Sequence, residues 1–142
     1  MGFLPFIVSL LISSSLVNGH SSSVVHEHSW ALERTELDVT IPKAISDHTA
    51  VLGSDNLIYI GGGCDSPDGN IFEANYSYFY CPSVSASFFA FDPATQQFET
   101  LPDMPRTRYR HAAVAIENHI FFVGGRDVED NLIAEVDVST VF

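Results

Sequence analysis

His48-Thr-Ala-Val51-Leu-Gly-Ser-Asp55-Asn-Leu57-Ile58-Tyr59-Ile60-Gly61-Gly62 and His111-Ala-Ala-Val114-Ala-Ile-Glu-Asn118-His-Ile120-Phe121-Phe122-Val123-Gly124-Gly125 read almost alike. They superpose without a gap at an offset of 63 residues (48 to 111), and the match reaches back to Ile41-Pro42 against Met104-Pro105. Each copy is a run of buried-strand residues ending in paired glycine. Repetition of such a unit marks a repeat architecture, and the period is read before anything else.

Working outward, both units continue in strand chemistry. Ser87-Phe88-Phe89-Ala90-Phe91 is apolar, Asp92-Pro93-Ala94-Thr95-Gln96 is a turn, and Phe98-Glu99-Thr100-Leu101 is a fourth strand ended by Pro102. In the second copy, Leu132 to Val136 followed by Asp137-Val-Ser-Thr140 reads as the third strand and its turn. Asp92 and Asp137 are 45 residues apart, not 63, which implies an 18-residue insertion in the first unit and an underlying repeat of about 45 to 50. Cys64 and Cys81 bracket nearly all of that insertion. No segment carries a sustained helical period, and the fold class expected is all-β.

The ends and the composition bound the setting. Phe3 to Val17 is an apolar run followed by Val17-Asn18-Gly19, the pattern of a secretory signal over 1–19, and it is short of a spanning helix. Residues 20–29 read as a flexible Ser/His-rich leader, and His20, His26 and His28 lack a partner cluster at metal-site spacing, so no metal is expected. In an oxidising compartment Cys64 and Cys81 are expected to form a disulfide, and Asn75-Tyr76-Ser77 between them is an acceptor for N-linked glycan. The net charge of −12 disfavours nucleic acid and anionic membrane as partners, and no second apolar span follows the first.

Four strands per unit, paired glycine ending the second, and Asp, Thr and an aromatic after the third together resemble Kelch repeats. The residues carrying this are Gly61-Gly62 with Asp92, Thr95 and Phe98, then Gly124-Gly125 with Asp137, Thr140 and Phe142. The link Met104-Pro105-Arg106-Thr-Arg108-Tyr109-Arg110-His111 fits the same pattern. The resemblance implies four-stranded antiparallel blades of a β-propeller over residues 30–142. Blade one spans about 43–101 with an inserted loop at 64–81, and a partial blade two spans about 106–142. Propellers close with four to eight blades, so the chain is expected to be an incomplete, N-terminal portion that needs further C-terminal blades or a partner chain.

Catalytic signatures are absent: there is no activated Ser, no His-Glu-x-x-His, and no phosphate-cradling glycine loop, and no cofactor is expected. Arg106, Arg108, Arg110 and Arg126, with Lys43, fall in connections that the resemblance places on one propeller face. Such a basic rim would attract a carboxylate, sulfate or acidic peptide, while the plainer role is to hold inter-blade carbonyls and carboxylates. Tyr76, Tyr78, Phe79 and Tyr80 in the inserted loop are candidates for stacking on a sugar or a partner protein, or for packing on the blade flank under the disulfide. The reading is a secreted or extracellular module binding a protein or glycan. The alternative is part of a secreted propeller enzyme, such as a copper-dependent sugar oxidase or a sialic acid epimerase, as the resemblance allows.

Overall fold

A computed structural model describes residues 35–74 and 78–141 of the chain. The signal segment, the leader, Trp30, Asn75 and Tyr76 lie outside the described residues. The described part is strands and connections, with no helix among them.

Blade one is a four-stranded antiparallel sheet. Its strands are β1 (Thr49–Leu52), β2 (Ile58–Gly61), β5 (Phe88–Asp92) and β6 (Gln97–Leu101), hydrogen-bonded in that order. Between the second and third of these the chain leaves the sheet and forms a hairpin of its own, β3 (Ile71–Glu73) with β4 (Tyr78–Tyr80). Blade two repeats the first three strands as β7 (Ala112–Ile116), β8 (His119–Val123) and β9 (Val136–Thr140), again antiparallel and in sequence order. Thr35–Thr40 is not in a strand. The all-β blades expected from the sequence are therefore present, one with four strands and one with three.

Strand pairing corrects the repeat arithmetic. Thr49 faces Gly61 where Ala112 faces Val123, so the first strands are 63 apart (49 to 112) and the second strands 62 (61 to 123). The missing residue is in the turn: three residues follow Gly53, which bonds to Leu57, and only Glu117-Asn118 joins β7 to β8. Left-handed backbone confirms the shift, with φ of 67° and 102° at Gly62 and Gly63 and of 64° and 96° at Gly124 and Gly125. The equivalent pairs are thus Gly62-Gly63 and Gly124-Gly125, one residue along from the sequence match. Cys64 bridges Val84 as Arg126 bridges Leu132, so the third strands are 48 apart (84 to 132). The insertion is then 14 residues, the difference between 62 and 48. Asp137 corresponds to Phe89 (89 plus 48), inside a strand, and the turn aspartate Asp92 corresponds to Thr140.

The core lies between the two sheets. Tyr59, Phe88 and Ala90 from blade one meet Ile120 and Phe122 from blade two, with Met104 of the connecting link beside them. The Phe88 and Phe122 rings meet edge to face at 5.5 Å. Strand alternation explains the pattern: in β2 and β8 every second residue is buried, and the phase differs because each blade turns a different face inward.

The glycines mark where backbone crosses backbone. A Cβ on Gly62 would lie 2.6 Å from the Arg108 carbonyl oxygen, and one on Gly61 would lie 2.8 Å from the Met104 sulfur. Gly69 also has positive φ, at 66°, but open space around it. Gly62→Ala combines left-handed strain with a backbone clash, so a loss of about 3 kcal/mol is expected, against about 1 kcal/mol for Gly69→Ala. Thermal or denaturant unfolding of the two variants measures the difference.

Candidate functional site

The link Pro102–Arg110 carries the chain from the outer strand of blade one to the inner strand of blade two, and most of the candidate residues sit on it. Arg108 is fully buried. Its carbonyl oxygen accepts from the Gly63 N–H at 2.8 Å, on blade one. Its guanidinium reaches the other way, donating to the Gly124 carbonyl at 2.8 Å and the Phe122 carbonyl at 3.3 Å, and pairing with Asp137. Burial lowers its pKa from the usual value, and the Asp137 charge works against that. Arg108 is thus a clamp between blades and not part of an exposed rim.

The other basic side chains are also engaged. Arg106 pairs with Asp137 at 2.6 Å and Glu135 at 3.1 Å. Arg110, at φ 53°, lies 3.5 Å from the Asp47 carboxylate and donates to the Phe79 carbonyl at 3.1 Å. Arg126 pairs with Asp130 at 3.0 Å, and Lys43 with Asp65. Every basic side chain among the described residues therefore faces a carboxylate, which removes the excess positive charge an anion would seek. Burial alone would raise the Asp47 carboxyl; hydrogen bonds from Asn70 and Ser46 and the Arg110 charge bring it below the usual range.

These contacts gather the links and the inserted hairpin at one end of the sheets. Asn70 donates to Asp47 at 2.6 Å, Phe79 is tied to Arg110, and the Cys81 N–H points to the Tyr109 hydroxyl at 3.4 Å. Cys64 and Cys81 form the expected disulfide, and no free cysteine is present. Tyr109 is buried against that disulfide, and its hydroxyl donates to Asp130 of blade two. Burial and that hydrogen bond raise its pKa.

Beyond the disulfide the hairpin turns apolar side chains outward. Phe72 is 49% and Phe79 53% exposed, their rings 4.9 Å apart, with Ile71 and Tyr78 also exposed. Of the candidate tyrosines, Tyr78 and Tyr80 are on this hairpin, their rings 6.2 Å apart, and Tyr76 lies outside the described residues. Phe79 was among the aromatics the sequence singled out in the inserted loop, whereas its cross-strand neighbour Phe72 escaped that reading, although an apolar residue facing Phe79 in a short hairpin was the signal that could have found it. Asp137 was missed as a clamp because its neighbours Val-Ser-Thr read as turn chemistry. Among the described residues no cluster of His, Cys, Asp and Glu is arranged to hold a metal ion, and no helix is long and apolar enough to cross a membrane.

His111 joins the blades near the inner strands. Its Nε2 lies 2.9 Å from the Thr49 hydroxyl, and burial, followed by the nearby Arg108 and His48 charges, lowers its pKa to about 4. Because the unfolded imidazole titrates near 6.5, the unfolded chain binds the extra proton first as pH falls. The associated stability is complete above about pH 6.5 and is lost between there and about pH 4, on the order of 3 kcal/mol. His111→Gln should flatten that slope in unfolding curves measured across the window. Asp137→Ala strands the buried Arg108 charge, so a loss of about 3 to 5 kcal/mol is expected, while removing both partners as Arg108→Met with Asp137→Leu should cost less. Denaturant midpoints of the single and double variants decide this.

The comparisons with known proteins agree with this geometry. Residues 48–105 match the family model described as Kelch motif, and that stretch runs from just before β1 to just after β6. Kelch-like protein 40b of Danio rerio is 30% identical over 90 residues, 63% of this chain and 13% of the relative. Kelch-like protein 41a of Danio rerio is 29% identical over 85 residues, 60% of this chain and 13% of the relative. The chain spans about an eighth of the length of these curated relatives. Blade one thus carries a Kelch motif, blade two repeats its first three strands, and the chain is similar to Kelch-like proteins over that region.

Proposed function

We propose that this chain is a secreted protein-binding module whose contact surface is the β3–β4 hairpin. The observation that carries it is the pair of outward aromatics, Phe72 and Phe79, held on a hairpin whose base is closed by a disulfide. Exposed apolar surface is costly in water and marks interaction sites, and a closed base lowers the entropy lost on docking. Kelch repeats fit an interaction role, in which the sheets are a scaffold and the connections do the binding.

Secretion is supported by the apolar N-terminal run ending at Val17-Asn18-Gly19 and by the paired cysteines. Asn75, which follows β3 and precedes β4 in the sequence, would then carry a glycan. The paired arginines serve inter-blade cohesion in this reading, so the ligand is apolar or aromatic in its contacts instead of anionic.

Expression of the full chain in eukaryotic cells tests the first half. The protein should enter the medium beginning at His20, with both cysteines resistant to alkylation and a mass shift on enzymatic glycan removal. Retention in the cell with alkylatable thiols would overturn secretion. For the second half, the secreted protein is applied to a panel of extracellular ectodomains and to a glycan array. Binding to a protein should fall by about tenfold or more in Phe72→Ser with Phe79→Ser, with the melting temperature little changed. Binding unaffected by that change, or confined to glycans, would refute the site.

A further inference from the structure

The inserted segment and its counterpart in blade two are both acidic. Residues 64–81 hold Asp65, Asp68 and Glu73 and no Lys or Arg. Residues 126–132 hold Asp127, Glu129 and Asp130 against the one Arg126. Ion pairing neutralises two of these carboxylates, since Lys43 meets Asp65 and Arg126 meets Asp130. Asp68 and Glu129 are exposed and enter no ion pair among the described residues. The neighbouring cation, Arg110, is committed to Asp47.

Both carboxylates stand at the foot of the hairpin. Asp68 lies three residues ahead of β3, in the turn closed by the Gly69 N–H on the Ser66 carbonyl at 2.9 Å. Glu129 lies in the turn closed by the Asp130 N–H on the Asp127 carbonyl at 3.1 Å. That second turn is fastened to the other strand of the hairpin. Asp130 accepts from the Tyr109 hydroxyl, toward which the N–H of Cys81 points, one residue after β4. Negative charge therefore flanks the base of the two strands that carry the exposed rings of Phe72 and Phe79.

An apolar patch flanked by one sign of charge selects its partner by the other sign. A partner bringing carboxylates would set like charges together, and a second copy of this chain, at net −12, is disfavoured on the same ground. We propose that the partner of the β3–β4 hairpin is a cationic protein surface, an apolar socket for Phe72 and Phe79 rimmed by Lys and Arg that face Asp68 and Glu129. This rests on the hairpin being the contact surface and adds the partner's charge to that reading. The two parts act on different rates. Exposed carboxylates are screened and add little to the bound state, but they steer approach, so their effect falls on association. Aromatic contact is broken on leaving, so its effect falls on dissociation.

The full chain is tested by surface plasmon resonance against synthetic peptides sharing one Leu- and Trp-containing core, flanked by lysines, by glutamines or by glutamates. The Lys-flanked peptide should bind about tenfold or more tighter than the Glu-flanked one, its association slowing several-fold as salt rises from about 0.05 to about 0.3 M. Asp68→Asn with Glu129→Gln should slow that association about threefold or more and leave dissociation within about twofold. Glu99→Gln on β6 with Glu117→Gln between β7 and β8 removes the same charge away from the hairpin and should leave both rates nearly unchanged. Phe72→Ser with Phe79→Ser should speed dissociation instead. Equal binding of the three peptides, binding of none, or equal effects of the two acid-to-amide pairs overturns the cationic partner. If only the Phe72 and Phe79 substitutions change the rates, the hairpin reading stands without it. If those substitutions change nothing, the hairpin itself is refuted.

Discussion

Arg108 is the residue through which the two sheets become one body. Its main chain bonds to the glycine pair of blade one, and its side chain bonds to the end of β8 and to Asp137 in β9 of blade two. Both halves of that arrangement demand something of the sequence. The main-chain half needs glycine at 62 and 63, because a Cβ would occupy the space the link requires. The side-chain half needs a carboxylate in the middle of a strand, where β propensity alone would not place one. Guanidinium suits the position because its fixed fork serves two carbonyls and a carboxylate at once.

Much of the fold was legible in the residues themselves. Paired glycine after an apolar run identified the second strand of each blade, and the aromatic content of Phe88 to Phe91 identified the third. Cys64 and Cys81 announced the closed loop. What escaped was register. A one-residue difference in the first hairpin shifts the glycine equivalence, and gapless matching hides it because Gly61-Gly62-Gly63 matches at either offset. Asp137 was taken for a turn residue through its likeness to Asp92. In the structure Asp92 caps its own turn, accepting from the Ala94 N–H and Thr95 hydroxyl, while Asp137 faces the link. Strand position, not residue type, separates these roles.

The candidate site divides along the same line. Basic residues were visible as a cluster in sequence, but their partners come from distant strands and links: Asp137 lies 29 residues beyond Arg108, and Asp47 lies 63 before Arg110. A linear reading sees the cations together and the anions scattered, and so overstates the free positive charge. The net charge of −12 then leaves acidic groups in excess over the cations that neutralise them. The exposed aromatics of the hairpin were harder to read, since a short apolar strand looks the same whether it is covered or wet.

The connection between second and third strands is pinched at the same place in both blades, by different chemistry. In blade one the neck at Cys64 is closed by a covalent bond to Cys81; in blade two its counterpart Arg126 holds Asp130 as an ion pair. Either fastening isolates the sheet from what hangs beyond it. Sequence past the neck can therefore drift, lengthen or be exchanged while the strands below keep their register. Fourteen extra residues have accumulated in one blade, yet the bridges that flank them, Ser46 to Cys64 to Val84, keep the pattern of Tyr109 to Arg126 to Leu132. The fold treats that end as a socket for interchangeable heads, and the present hairpin is one occupant of it.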